Sequence, residues 1–186
     1  YTEAKCIIQH YKLKKLIFIR EFQIFYNKKA CISLTISGIG KVQTAAAVSY
    51  TFCVFDKKKN DSWINIGIAG HEDEEIGEIF LVKKIIDHST KKNWFPAITF
   101  NSDFNQKECK TFEKPNFSYS KILHDMELSA FYEICSRFSS NELIHSLKIV
   151  SDNKFKKDFN TDNLLYLFKK NILSINQLCC EMKKIL

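Results

Sequence analysis

Arginine is almost missing from this chain: Arg20 and Arg137 are the only two, although the formal net charge is +7. Guanidinium forks are the side chains that read bases and grip phosphates in pairs of hydrogen bonds. A basic charge made of scattered lysine therefore predicts no nucleic-acid partner. Proline is confined to Pro96 and Pro115, and the five glycines all fall between Gly38 and Gly77. That scarcity excludes a collagen-like or linker-rich chain and leaves one domain, residues 1–186. No apolar run approaches the roughly 20 residues of a membrane helix, which predicts a soluble protein with no membrane partner. The chain opens Tyr1-Thr2-Glu3, without an initiator Met and without a signal-peptide pattern, so the numbering is expected to start inside a longer gene product. The seven cysteines are odd in number and contain no Cys-x-x-Cys spacing, which argues against zinc and redox pairs. Reduced thiols packed as small hydrophobes, in a cytoplasmic protein, are the expectation.

What is present is ordinary globular material. The 186 residues are 45% hydrophobic and 26% charged, enough to bury a core. Strand-like and helix-like stretches alternate. Leu16 to Tyr26, Cys31 to Ser37, Trp63 to Ile68, Ile76 to Ile86, Lys107 to Phe112 and His145 to Val150 read as strands. Lys41 to Phe55, Ser120 to Phe138 and Asp162 to Leu186 read as helices, the last with Thr161 as its cap. The alternation predicts an α/β fold with helices on both faces of a sheet. Ligands in such sheets bind at the carboxyl ends of strands, which singles out Ser37–Gly40, Ile68–His71 and Ser151–Asn153.

Four stretches carry residues suited to chemistry. Ser37-Gly38-Ile39-Gly40-Lys41 joins a strand to a helix but lacks the spacing of a dinucleotide or P-loop fingerprint; a tight turn is the alternative reading. Asn65-Ile66-Gly67-Ile68-Ala69-Gly70 ends a strand in small residues that let a ligand approach the backbone. Asp125-Met126-Glu127 places carboxylates where a helix begins, which the helix dipole alone would favour. Asp152 follows an apolar strand, where a turn-forming role is also open. His71-Glu72-Asp73-Glu74-Glu75 reads as a solvated loop rather than a hard-metal site.

In this order, Ser37–Val42, Ile64–Gly70, Asp125–Glu127 with Ala130, and Val150–Asp152 resemble the nucleoside phosphorylase superfamily. Within it they are most similar to the methylthioadenosine/S-adenosylhomocysteine nucleosidase branch. The resemblance implies a phosphorylase-like three-layer α/β/α sandwich with a mixed central sheet. It implies cleavage of the N-ribosidic bond of a purine nucleoside, with no metal and no organic cofactor. Asp152 would protonate the departing base, with Ser151 beside it, and for that it needs a raised pKa. Glu127 would accept hydrogen bonds from ribose hydroxyls as a charged carboxylate, and Met126 would pack on the sugar. Glu3 matches the glutamate that activates water, although the strand that precedes it in the family is not in this sequence. Ala69 and Gly70 would face the substrate, Ile68 stands where the family has a hydroxyl, and Lys148 stands where it often has arginine. The nucleosidase segment that stacks on the base is replaced by Cys109–Pro115, where Phe112 is the candidate for stacking. His88 lies where the family often has a site histidine.

Three functions fit these residues. A hydrolytic purine nucleosidase is favoured by the motif set and Glu3. A phosphate-dependent phosphorylase would need arginines that the chain lacks. A degenerate, non-catalytic nucleoside-binding protein would suit the shortened middle and Ile68. The family resemblance also implies a homodimer, in which a neighbouring subunit closes the sugar pocket.

Overall fold

Residues 144–152 form a strand that is buried at each of its nine positions. Side chains on a strand alternate between faces, and here they feed two separate apolar layers. Leu147 and Ile149 pack with Cys6, Ile7, Phe168 and Ile175. Ile144 and Val150 pack with Val48, Leu123, Leu128 and Phe131. Lys148 shares the parity of Ile144 and Val150 and is only 1% exposed, so a charge is built into the second layer.

The computed structural model describes residues 2–17, 21–55, 61–157 and 160–186. Helix α1 (Thr2–His10) leads into a small antiparallel sheet of β1 (Lys14–Lys15), β2 (Gln23–Asn27) and β3 (Ile32–Ile36). Helix α2 (Lys41–Val54) follows, then β4 (Trp63–Gly70), β5 (Ile79–Asp87), β6 (Asn93–Trp94), β7 (Gln106–Thr111) and β8 (Leu123–Asp125). Helix α3 (Leu128–Cys135), β9 (Ile144–Asp152), α4 (Thr161–Lys170) and α5 (Ile172–Ile185) complete the chain. The main sheet has the order β6-β5-β7-β8-β4-β9. It is mixed: β4 runs parallel to β9 and β7 parallel to both β5 and β8, whereas β8 is antiparallel to β4. The first residues of β5 also pair antiparallel with β9, Ile79 opposite Ile149 and Leu81 opposite Leu147, so the sheet closes on itself. Residues of α1, α4 and α5 cover one apolar layer and residues of α2 and α3 the other. This is the three-layer α/β/α arrangement with a mixed central sheet that the sequence predicts.

Several boundaries differ from the sequence reading, each for a local reason. The stretch Ser120 to Phe138 is not one helix. Residues 123–125 form β8, held parallel to β7 by Cys109 opposite Leu123 and Thr111 opposite Asp125; only the later part of the i, i+4 stripe, around Ala130 and Ile134, is helical. The strand read from Leu16 to Tyr26 begins at Gln23, with Ile17 85% exposed in a turn; residues 18–20 of it lie outside the described residues. The C-terminal helix is two helices. Asn171 interrupts it, its side-chain amide donating to the carbonyls of Gly77 and Leu167 at 2.9 Å each. The cap of α4 is Asn160 rather than Thr161, its side chain accepting from the backbone N–H of Asp162 at 2.8 Å.

The Asn171 amide ties the α4–α5 corner to the loop before β5, and its loss leaves the buried Gly77 carbonyl without this donor. The expected cost of Asn171→Ala is about 1–3 kcal/mol, read as a lowered urea midpoint at unchanged m-value.

Candidate active site

β8 delivers Asp125 to the interior, where its side chain is fully buried. Its oxygens are all engaged. Oδ1 accepts from the Thr111 hydroxyl at 2.7 Å, and Oδ2 accepts from the Leu128 backbone N–H at 2.8 Å. Lys148 on β9 places its Nζ 2.8 Å from the same Oδ2. β4 lies between β8 and β9, so the lysine must cross it. It does so over Gly67, its register partner. A Cβ at Gly67 would stand 3.4 Å from Lys148 Nζ and 3.8 Å from Glu3 Oε2. The missing side chain is what lets a cation and a second carboxylate meet there. Burial alone would push the Lys148 amine down, but the carboxylate of Asp125 more than reverses this and holds it above the ordinary lysine range.

Glu3 and Glu127 complete this group. Glu3 stands in the first turn of α1, which Ala4, Cys6 and Ile7 anchor in the core, so it is not a solvated terminal residue. Burial raises its pKa; Lys148 works against that rise, and the nearby charge of Glu127 adds to it. Glu127 begins α3, and its Oε1 accepts from the backbone N–H of Gly40 at 2.7 Å. Gly40 has φ 91°, a left-handed conformation that favours glycine. The turn after β3 is thereby fastened to the start of α3. Met126, beside it, is partly buried.

The second focus is the end of β9. Asp152 Oδ1 accepts from the Ser151 hydroxyl at 2.5 Å, and Oδ2 accepts from the phenol of Tyr119. The Asp152 carbonyl takes the His71 backbone N–H at 3.0 Å. An irregularity between Ala69 and Gly70 shifts the register so that Gly70 lies opposite Asp152. A Cβ at Gly70 would fall 2.8 Å from Asp152 Oδ2 and 2.6 Å from Tyr119 Cε1, so any larger residue here must push these side chains aside. Ser151, Ala69, Gly70 and Asp152 thus gather at the carboxyl ends of the parallel pair β4 and β9, where such sheets bind ligands.

Other predicted residues fall elsewhere. Ile68 packs in the layer beneath α1, α4 and α5, on the opposite face from Ala69. Phe112 is 7% exposed, stacked on His88 at 4.6 Å between ring centroids and tilted against His124 at 4.7 Å. It lines an open hollow of about 600 Å³ with His88 and residues 113–118. The acidic stretch after Gly70 is a loop pinned by Lys107 on Glu74, and among the described residues no cluster could hold a metal ion.

Reading residue by residue missed three features. Lys41 is paired with Asp87 at 2.9 Å and with Glu113. Burial would raise the Asp87 carboxyl, but donors from Thr90, Lys41 and Ser129 hold it well below the usual carboxylate range. Asp125 is a buried ion-pair partner, not decoration of a first turn. A lysine in the apolar run Leu147–Val150 was the available signal, because a buried charge demands a partner. Tyr119 left no signal, since it lies in an irregular segment between β7 and β8.

Replacing Lys148 by Met strands the Asp125 charge. The expected loss is about 3–5 kcal/mol of stability in denaturant melts. Adding Asp125→Asn to that variant, which keeps an acceptor for Leu128, is expected to restore more than half of it.

No family model and no curated protein matches this chain. Solved structures do. A 5′-methylthioadenosine/S-adenosylhomocysteine nucleosidase from S. pneumoniae is 17% identical with a TM-score of 0.74, covering 94% of this chain and 92% of that one. The Campylobacter jejuni nucleosidase of the same name is 16% identical at 0.74, covering 100% and 95%. A Helicobacter pylori futalosine hydrolase is 13% identical at 0.68, covering 100% and 96%. The chain therefore has the fold of the methylthioadenosine/S-adenosylhomocysteine nucleosidases over nearly its whole length.

Proposed function

We propose that this protein hydrolyses the N-ribosidic bond of a purine nucleoside, of the methylthioadenosine or S-adenosylhomocysteine kind, to free base and sugar. The observation that carries this reading is a pair of unlike carboxylate environments along β4 and β9, one at Gly67 and one at Gly70. Asp152 is held by two hydroxyls beside Gly70, whereas Glu3 and Glu127 share the buried charge of Lys148. As the glycosidic bond breaks, the base gains electrons and the sugar gains positive character. Asp152, carrying a proton at that moment, would deliver it to the base. Glu127 would accept the ribose hydroxyls against a Met126 wall. Glu3 would take the proton of the attacking water. Such separated acid and base roles require carboxyls in different surroundings.

Hydrolysis is favoured over phosphorolysis by the fate of the cations. Lys148 is committed to Asp125, and Lys41 to Asp87 and Glu113, which leaves neither ammonium free for a phosphate dianion. A homodimer fits the edge beside Gly40, where Ile39 and Val42 are 78% and 83% exposed next to the Glu127 contact. One observation favours a second reading, a nucleoside binder without turnover: Tyr119 occupies Asp152.

Incubation with adenosine, inosine, methylthioadenosine and S-adenosylhomocysteine, with and without phosphate, is expected to release free base at a phosphate-independent rate. Asp152→Asn should lower that rate by about 10²–10⁴-fold. Release only with phosphate would make the enzyme a phosphorylase. Binding without release in wild type would leave the binder reading.

The base must be ionised to act. Because the Glu3 carboxyl is shifted upward by burial, activity is expected to fall, as pH drops, through a midpoint above the ordinary glutamate value of about 4.3. A pH profile of kcat/KM checks this, and Glu3→Gln should remove that limb together with most of the rate.

A further inference from the structure

Each carboxylate oxygen of Asp152 accepts from a hydroxyl. Oδ1 is bound by Ser151 on its own strand, a permanent neighbour. Oδ2 is bound by Tyr119, which comes from a different part of the chain. The Tyr119 ring lies against the backbone of residue 70, where an added Cβ would stand 2.6 Å from Cε1 and 3.2 Å from Cδ1. Glycine there makes a seat for an aromatic ring directly beside the carboxylate. Phe117 packs edge-on to the ring at 6.3 Å and His124 lies at 6.1 Å.

The segment that supplies this ring is lightly built. Residues 113–121 form neither helix nor strand and are mostly exposed. Its ties to neighbouring elements include the Ser120 carbonyl to the Glu72 N–H at 3.2 Å and the Ser120 hydroxyl to His124 at 2.9 Å. Ser120 is thus a fixed point, and the ring hangs one residue before it. Segments with exposed backbone and few buried contacts open at low cost.

We infer that Tyr119 is a gate on Asp152: its ring fills the seat at Gly70, and a ligand's aromatic base must displace it to reach the carboxyl group. Only the identity of that ligand, a purine, rests on the nucleosidase reading. Displacement costs the bond between the phenol and the carboxylate, so apparent affinity is reduced by the fraction of molecules in which the gate is closed. The contact with Asp152 and burial also hold the phenol proton on, with a pKa above the ordinary tyrosine range.

Two measurements test the gate. The first is calorimetric titration with adenine. Tyr119→Phe keeps the ring and removes the bond to Asp152, and it is expected to bind adenine about tenfold more tightly than wild type, the worth of one hydrogen bond to a charged acceptor. KM for a nucleoside that is turned over should fall in parallel. Unchanged or weaker adenine binding overturns the gate. The second is nitration of Tyr119 by tetranitromethane, followed by mass spectrometry of its peptide. Nitration attacks the phenolate, so it should be slow in the empty protein and several-fold faster with saturating adenine. It should also be faster without ligand in Asp152→Ala, or in Asp152→Asn if the alanine variant fails to fold. Equal nitration in wild type and the Asp152 variant overturns the proposal with no reference to any substrate. If adenine binds no variant, the purine reading falls and with it a gate opened by a purine. Faster nitration in the Asp152 variant would then still establish the latch.

Discussion

The ion pair between Lys148 and Asp125 sets the geometry of everything around it. It joins β9 to β8 across the intervening strand, through the gap left by Gly67. Asp125 then receives the Leu128 N–H and so orients the first turn of α3. That turn presents Glu127 to Gly40, which anchors the start of α2. A buried ion pair is weak evidence for net stability, because desolvation offsets most of its attraction. Its value here is positional: a hydrophobic replacement of the same volume would pack, but it would leave the start of α3 and the glutamate on it without a fixed bearing.

The same constraint separates the two ends of the site. On the Lys148 side the groups are charged, buried and mutually dependent. At Asp152 they are neutral hydroxyls, with the cation of Lys148 already engaged elsewhere. The carboxylates near Gly67 therefore meet a buried ammonium, whereas Asp152 near Gly70 meets two hydroxyl donors. Strand closure matters to this. Pairing of β5 with β9 at Ile79–Leu81 and Ile149–Leu147 buries β9 on both edges and both faces, so the strand carrying Lys148, Ser151 and Asp152 has no exposed edge along which to shift.

Much of this was legible before any coordinates. Short apolar runs, two of them ended by small or turn residues, identified β4 and β9 and a weaker run β7, and the helix read from Lys41 to Phe55 is observed over Lys41–Val54. Asp152, Ser151, Glu127 and Gly70 were named from motifs; Asp152, Ser151 and Gly70 lie together where β4 and β9 end, and Glu127 lies at the start of α3 against Gly40. The failures have physical causes. The strand Leu123–Asp125 has three residues, too few for a period to show, and it exists because β7 pairs with it, a non-local fact. Ile68 was assigned by position in a motif, but strand parity turns it to the face opposite Ala69. Tyr119 belongs to a segment with no periodicity, and only the fold brings it to Gly70.

That the cation at position 148 is a lysine has a consequence for Glu3. A guanidinium fork can serve two carboxylates at once, whereas an ammonium is a single point of charge. In this chain that point lies 2.8 Å from Asp125, while Glu3 and Glu127 depend on what remains of its field. One cation then faces the carboxylates of Asp125, Glu3 and Glu127, and the last two repel each other. Burial raises the Glu3 pKa, the charge of Glu127 adds to the rise, and Lys148 opposes it. A carboxylate destabilised in this way is a stronger base than a fully paired one. The ammonium that fixes α3 through one short ion pair crossing a glycine thus offsets only part of the rise that burial imposes on Glu3.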